Sequence, residues 1–226
     1  MARRAVKFLK RLFFILFLSS FAAVLLLKFV PVYVTPLMLI RGCEQLASGE
    51  KLHLHHHWIP LDKISPALAE AVVASEDNRF PTHHGFDFQQ IAEAREEAEA
   101  GGRVRGASTI SQQTAKNVFL WPGRSYLRKG LEAYFTVLIE FVWGKRRIME
   151  VYLNSIEMGD GLFGAEACAE AHFHKPALRL TAPEAALVAA SLPNPRRFNS
   201  ARPSPYMLRR QAQILSLMDK IGKLHL

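Results

Sequence analysis

Cysteine is almost absent: the 226 residues contain only Cys43 and Cys168. Two thiols exclude a disulfide-rich scaffold and argue against a multi-cysteine zinc module, and they fix no geometry for pairing with each other. Acidic residues are missing from 1–28, where Arg3, Arg4, Lys7, Lys10, Arg11 and Lys28 stand unopposed. There is no internal repeat and no glycine-rich phosphate loop. Charged residues are few, at 22%, against 50% hydrophobic, a balance that excludes a wholly disordered chain. The length suits one domain with an appendage.

The formal charge of +9 and the isoelectric point near 9.8 raise nucleic acid, an anionic membrane or a phosphorylated substrate as partners. Position decides among them. The six basic residues of 1–28 carry most of the charge, and residues 29–226 are left with +3. A nucleic-acid protein carries its charge on the folded domain, so no nucleic acid is expected.

No charge interrupts Leu12–Leu27, and the apolar run extends to Val34 if Lys28 snorkels to the interface. A bilayer-spanning helix needs about 20 such residues. Five basic residues precede the run and orient the N-terminus to the cytoplasm. A cleaved signal peptide is the competing reading, with Ala22 and Ala23 as small cleavage-site residues, but the apolar run continues past them. Every face of the run is apolar, which argues against a core helix. The expected layout is a basic tail and transmembrane anchor over 1–36 and an exported domain over 37–226.

Pro31 and Pro36 end the span, and 37–64 reads as a linker with an irregular or extended segment. The run His53-Leu-His-Leu-His-His-His-Trp58 invites a metal, but no acid or cysteine lies within it, and alternate spacing suits an exposed strand face. Helical signals follow. Ser65-Pro66 is an N-cap with proline at N1, opening a helix with Leu68, Val72 and Val73 that runs to Glu76. Asp87 with Gln90 opens a second, stopped by Gly101-Gly102, and Thr109 with Gln112 a third. Helices are expected over 126–143, 145–156 and 182–192. A last one follows Pro205, with Leu208, Leu215 and Met218 facing in. The charged segment 93–105 is either a solvated helix end with a loop or a flap beside a cleft. The fold class is mainly α.

Four segments carry chemistry. Glu76 begins the run Glu76–Asp87 at the end of an apolar helix; it is either an exposed terminal acid or a partly desolvated one suited to proton transfer. In Gly106–Asn117, Ser108 and Thr109 sit at a helix N-terminus able to meet an anion, and Gln113 and Lys116 share a face. Arg128, Lys129 and Glu132 form either a surface ion pair worth under about 1 kcal/mol or a cationic clamp on phosphate. Lys145–Asn154, followed by Gly159, Gly161 and Gly164, reads mostly as helix packing and turns.

Together these segments resemble the glycosyltransferase domain of bacterial peptidoglycan polymerases. Glu76, Asp77, Phe80, His83, Gly85 and Asp87 match its first motif. Its second, G-G-S-T-x-x-Q-Q-x-x-K-N, stands at 106–117 with Ala107 for the second glycine, acceptable if φ there is negative. Arg128, Lys129 and Glu132 match the third, and Lys145, Ile148, Glu150, Tyr152, Leu153 and Asn154 the fourth. Phe173, Leu180, Glu184, Ala185, Ala186 and Pro193 extend the likeness, which covers roughly 60–200; four ordered motifs do not coincide by chance. No transpeptidase domain follows, so the monofunctional type is expected.

The resemblance implies a lysozyme-like helical domain with a small, mobile, membrane-proximal lobe, polymerising lipid II into glycan strands. It assigns Glu76 as general base, taking the proton of the acceptor 4-hydroxyl as that oxygen attacks C1 of the donor. Undecaprenyl diphosphate leaves, and a β-1,4 bond forms with inversion. Lys116, Arg128 and Lys129 would meet the diphosphate, where charge grows. Gln113, Ser108, Thr109, Asn117 and Asp77 would complete the substrate site. Glu132 is the second carboxylate, positioning the cations or assisting the diphosphate through a metal. No protein metal ligand is assigned and no cofactor is required, although magnesium or manganese could accompany the diphosphate. The implied setting is the bacterial inner membrane, with the catalytic domain periplasmic and division or elongation machinery as protein partners. The alternatives are a lysozyme-like hydrolase, which would have no use for three cations, and a noncatalytic glycan-binding scaffold.

Overall fold

A computed structural model describes residues 2–102, 106–123 and 125–226. The chain is mainly α, as expected. Helix α1, Ala2–Leu27, is long and apolar enough to cross a membrane, and only 6% of its apolar window is buried. It ends at Leu27 rather than continuing toward Val34. Pro31 disfavours helix at Val30, and the Arg147 guanidinium collects the carbonyls of Leu27 and Val30 at 2.7 and 2.6 Å. The end of α1 docks on the domain: Val24 is buried, and its carbonyl accepts the Trp143 indole N–H at 2.7 Å.

The expected linker contains a helix. Helix α2, Pro36–Ala47, starts at Thr35, whose hydroxyl accepts from the Met38 N–H at 3.3 Å. Thr35-Pro36 is the same cap-plus-proline signal as Ser65-Pro66, and the sequence reading passed over it. His55–His56 form strand β1, paired parallel to β3, Leu162–Phe163, which also pairs antiparallel to β2, Glu157–Gly159. The histidines face different partners. His53 meets Gln45, His56 the Asn154 carbonyl, and His57 Glu170. Gly161 makes the tight β2–β3 turn at φ +68°, and a Cβ there would fall 2.1 Å from the His53 carbonyl oxygen.

Helix α3, Pro66–Glu76, is apolar on most faces and lies in the core. Ser65 stands at its N-cap position but does not cap; its hydroxyl donates to the Leu180 carbonyl at 2.7 Å. Helix α4, Phe88–Glu99, is capped by Asp87, which accepts from the Gln90 N–H at 2.9 Å. It buries no residue, so its amphipathic pattern has no core partner. Of the flap or loop expected over 93–105, residues 103–105 lie outside the described residues. Helices α5, Ile110–Phe119, α6, Tyr126–Val142, and α7, Gly144–Ser155, pack together as one layer. Helix α8, Ala165–Phe173, was not expected from sequence. Its alanine-rich turns carry no amphipathic signal because α7, the small sheet and the turn at Ala177–Arg179 cover it on several sides. Helices α9, Ala182–Ser191, and α10, Pro205–Ile221, close over α3. On α10 the inward residues are Met207, Ile214 and Met218. Met218 faces in as expected, whereas Leu215 is half-buried and Leu208 exposed, each one residue past a buried side chain.

Candidate active site

The end of α3, the half-buried face of α5 and the first turns of α6 converge at one place. Glu76 is the last residue of α3 and is half-buried. Its Oε2 accepts from Gln113 Nε2 at 3.1 Å. Burial raises the Glu76 pKa above the ordinary carboxyl value; the Gln113 N–H, Arg210 and Lys116 pull it back, and Asp77 adds to the rise. A carboxylate of raised proton affinity is suited to accepting a proton near neutral pH.

Lys116 lies one turn beyond Gln113 on the same face of α5. Burial lowers its pKa, as do Arg128 and Lys129, while Glu132 and Glu76 oppose the shift. Its ammonium makes no hydrogen bond or ion pair with any described residue and is available to a ligand. On α6, Ser125 accepts from the Arg128 N–H at 3.1 Å and starts the helix. Glu132, only 3% exposed, then accepts from Arg128 Nη1 at 2.6 Å through one oxygen and pairs with Lys129 Nζ through the other. The Lys129 side chain remains 49% exposed. Buried Arg128 Nε has no partner among the described residues. A recess of about 350 Å³ opens over Ser125, Tyr126, Arg128 and Lys129.

Glu76, Gln113, Lys116, Arg128, Lys129 and Glu132 are therefore brought together. Asn117 is buried beside Lys116, and Ser108 is exposed at the start of α5. Asp77 and Thr109 stand behind this surface. Asp77 is buried, accepting from the Ile110 N–H at 2.9 Å and meeting His83 Nε2 at 2.9 Å. Thr109 is buried, donates to the Gly85 carbonyl at 2.6 Å, and forms the expected capping box with Gln112. Both fasten α5 to the first motif. Gly85 sits at φ +89°, and a Cβ there would lie 2.9 Å from Thr136 Cγ2, so glycine is required for this close approach. Ala107 is not among the positive-φ residues, which removes the objection to alanine in the second motif.

Two contributors escaped the sequence reading. Tyr152, read as helix packing, donates its hydroxyl to Gln113 Oε1 at 3.1 Å. Arg210 on α10 bears on Glu76 electrostatically from a distant part of the chain, and no local signal marks it. From the fourth motif, Lys145 pairs with Glu140 at 2.7 Å, and Glu140 also accepts from Ser111, bracing α5 against α6 and α7.

The described residues do not fit a protein-held metal. Among the described residues no three His, Cys, Asp or Glu side chains are grouped to hold one, and both oxygens of Glu132 are taken by cations.

A family model described as Transglycosylase matches residues 44–219, the span holding every side chain of this site. The chain belongs to the transglycosylase family. Among curated relatives, a "Biosynthetic peptidoglycan transglycosylase" of Bacteroides thetaiotaomicron is 57% identical over 98% of this chain and 89% of its own length. A protein of the same name from Caulobacter vibrioides is 53% identical over 90% of this chain and 86% of its own length. Another, from Rhodospirillum centenum, is 59% identical over 83% and 79%. As a transglycosylase the chain handles a glycan, and α1 is compatible with a membrane anchor.

Proposed function

We propose that this transglycosylase is a peptidoglycan glycosyltransferase of cell wall synthesis that polymerises lipid II. The observation carrying the reading is the pairing of one acid of raised proton affinity, Glu76, with a cluster of cations on the neighbouring helices. Glu76 takes the proton of the acceptor sugar's 4-hydroxyl. That oxygen attacks C1 of the donor sugar, and the bond from C1 to the diphosphate oxygen breaks. The leaving undecaprenyl diphosphate takes the electron pair, so the α-linked donor becomes a β-1,4 link with inversion. Lys116, Arg128 and Lys129 meet the growing negative charge, with Glu132 holding the last two in place. No metal enters a step; a magnesium or manganese ion would arrive with the diphosphate as part of the substrate.

A lysozyme-like hydrolase is the rival reading. It needs a second free carboxylate or a water-activating base beside the acid. Glu132 is buried and committed to two cations, so it is unavailable for either role. Residues 1–36 would hold the chain in the inner membrane with a cytoplasmic N-terminus, leaving 37–226 periplasmic among division or elongation proteins. Labelled lipid II incubated with the purified protein should give a lysozyme-sensitive polymer. Failure to form polymer with protein that is folded and binds lipid II would reject the reading.

A further inference from the structure

Tyr152 is fully buried, and burial holds its pKa well above the usual phenol value, so the hydroxyl keeps its proton. That proton needs an acceptor, because a buried donor left unpaired is costly. The only acceptor it meets among the described residues is Gln113 Oε1, at 3.1 Å. A carboxamide has one oxygen face and one NH2 face. Committing the oxygen to Tyr152 turns the NH2 group toward Glu76, where Nε2 reaches Oε2 at 3.1 Å. We infer that Tyr152 is a positioning residue for the proton acceptor, acting through Gln113 to keep Glu76 as a carboxylate with its other oxygen free.

The alternative orientation shows what the phenol prevents. A flipped Gln113 would present its oxygen to Glu76, and a protonated carboxyl would then donate to it. That form cannot accept the acceptor's proton. The other groups facing Glu76 are Asp77 beside it, Lys116 on α5 and Arg210 on α10. None of them hydrogen-bonds the Gln113 amide; the Ser108 carbonyl does, accepting from Nε2 at a long 3.5 Å, and favours the same direction more weakly than the phenol. The link joins α3, α5 and α7, which explains why a tyrosine in the fourth motif bears on a carboxylate 76 positions earlier in the chain.

The inference rests on Glu76 being the proton acceptor, and the experiment separates the two. Initial rates of lipid II polymerisation are measured against pH for the full-length protein, Tyr152→Phe, Gln113→Met, the double variant and Glu76→Gln. Tyr152→Phe should move the acidic limb up by about one pH unit, since a hydrogen bond to a charged group is loosened. The rate should recover at alkaline pH to within about threefold of the parent. Gln113→Met should move the limb the same way, and adding Tyr152→Phe to it should change nothing further. A rate lowered equally at every pH, with the limb unmoved, would show that Tyr152 only packs, and would overturn the inference. Should Tyr152→Phe fail to fold, the limb of Gln113→Met decides alone: moved supports the link, unmoved rejects it. Turnover retained by Glu76→Gln would instead overturn the acceptor assignment and the relay with it.

Discussion

Removing Glu132 tests whether the cation cluster is held by a buried counter-charge. Arg128 is 8% exposed and Glu132 3%, so Glu132→Ala leaves a guanidinium inside the protein with no acid beside it. Breaking a buried pair from one side costs about 3–5 kcal/mol. The Lys129 contact adds little, because that side chain is half in solvent and such pairs contribute roughly 1 kcal/mol or less. For a chain of this size each kcal/mol lowers the melting temperature by about 2–4 °C, so a fall of roughly 6–20 °C is expected. The assay is differential scanning fluorimetry of the detergent-solubilised full-length protein. The double variant Glu132→Ala with Arg128→Met carries the sharper test. Replacing the stranded cation by an apolar side chain should recover much of the loss, because the penalty belongs to the unpaired charge. Polymerisation should stay absent in both variants, since the clamp is gone. A single variant melting within about 2 °C of the parent would refute the reasoning, as would a double variant less stable than the single.

Glu76→Gln should abolish polymerisation yet raise the melting temperature at neutral pH. A carboxyl whose folded pKa is raised destabilises the fold once ionised, so the gain should shrink as the pH falls and Glu76 takes up a proton; a gain independent of pH would contradict the shift. Lys116→Ala should slow turnover by about 10²-fold if the unpaired ammonium meets developing charge, and a change below about twofold would remove it from that role. Both cysteines are free: exposed Cys43 should react with maleimide in the native protein, whereas Cys168, buried with its pKa pushed up to about 12, should react only after denaturation. Equal labelling of the two in the native state would place Cys168 wrongly.

The elements legible in the sequence are those written in bonds between near neighbours. Asp87 caps over three residues to Gln90, and Thr109 exchanges bonds with Gln112, so the starts of α4 and α5 could be read directly. The apolar run before Lys28 and its basic preface likewise define α1 without reference to the rest of the chain. Ser65 shows the limit of local reading, because its hydroxyl turns to Leu180 in another part of the fold. Helix α8 was illegible for a related reason: a helix covered on several sides loses the periodic polar face that reveals one.

Residue order and short-range periodicity suffice for the helical class, the apolar N-terminal segment and the four motifs. Which motif residues line the site depends on how the helices pack, and that is set by the fold. It turned Asp77 and Thr109 inward as fasteners, left the Lys116 ammonium without a partner among the described residues, buried Glu132 between two cations, and set Tyr152 behind Gln113. These roles depend on burial and on contacts between helices, and proton affinity follows from how much water and which charges surround a group. A chain read in one dimension carries the identity of those groups but not their surroundings.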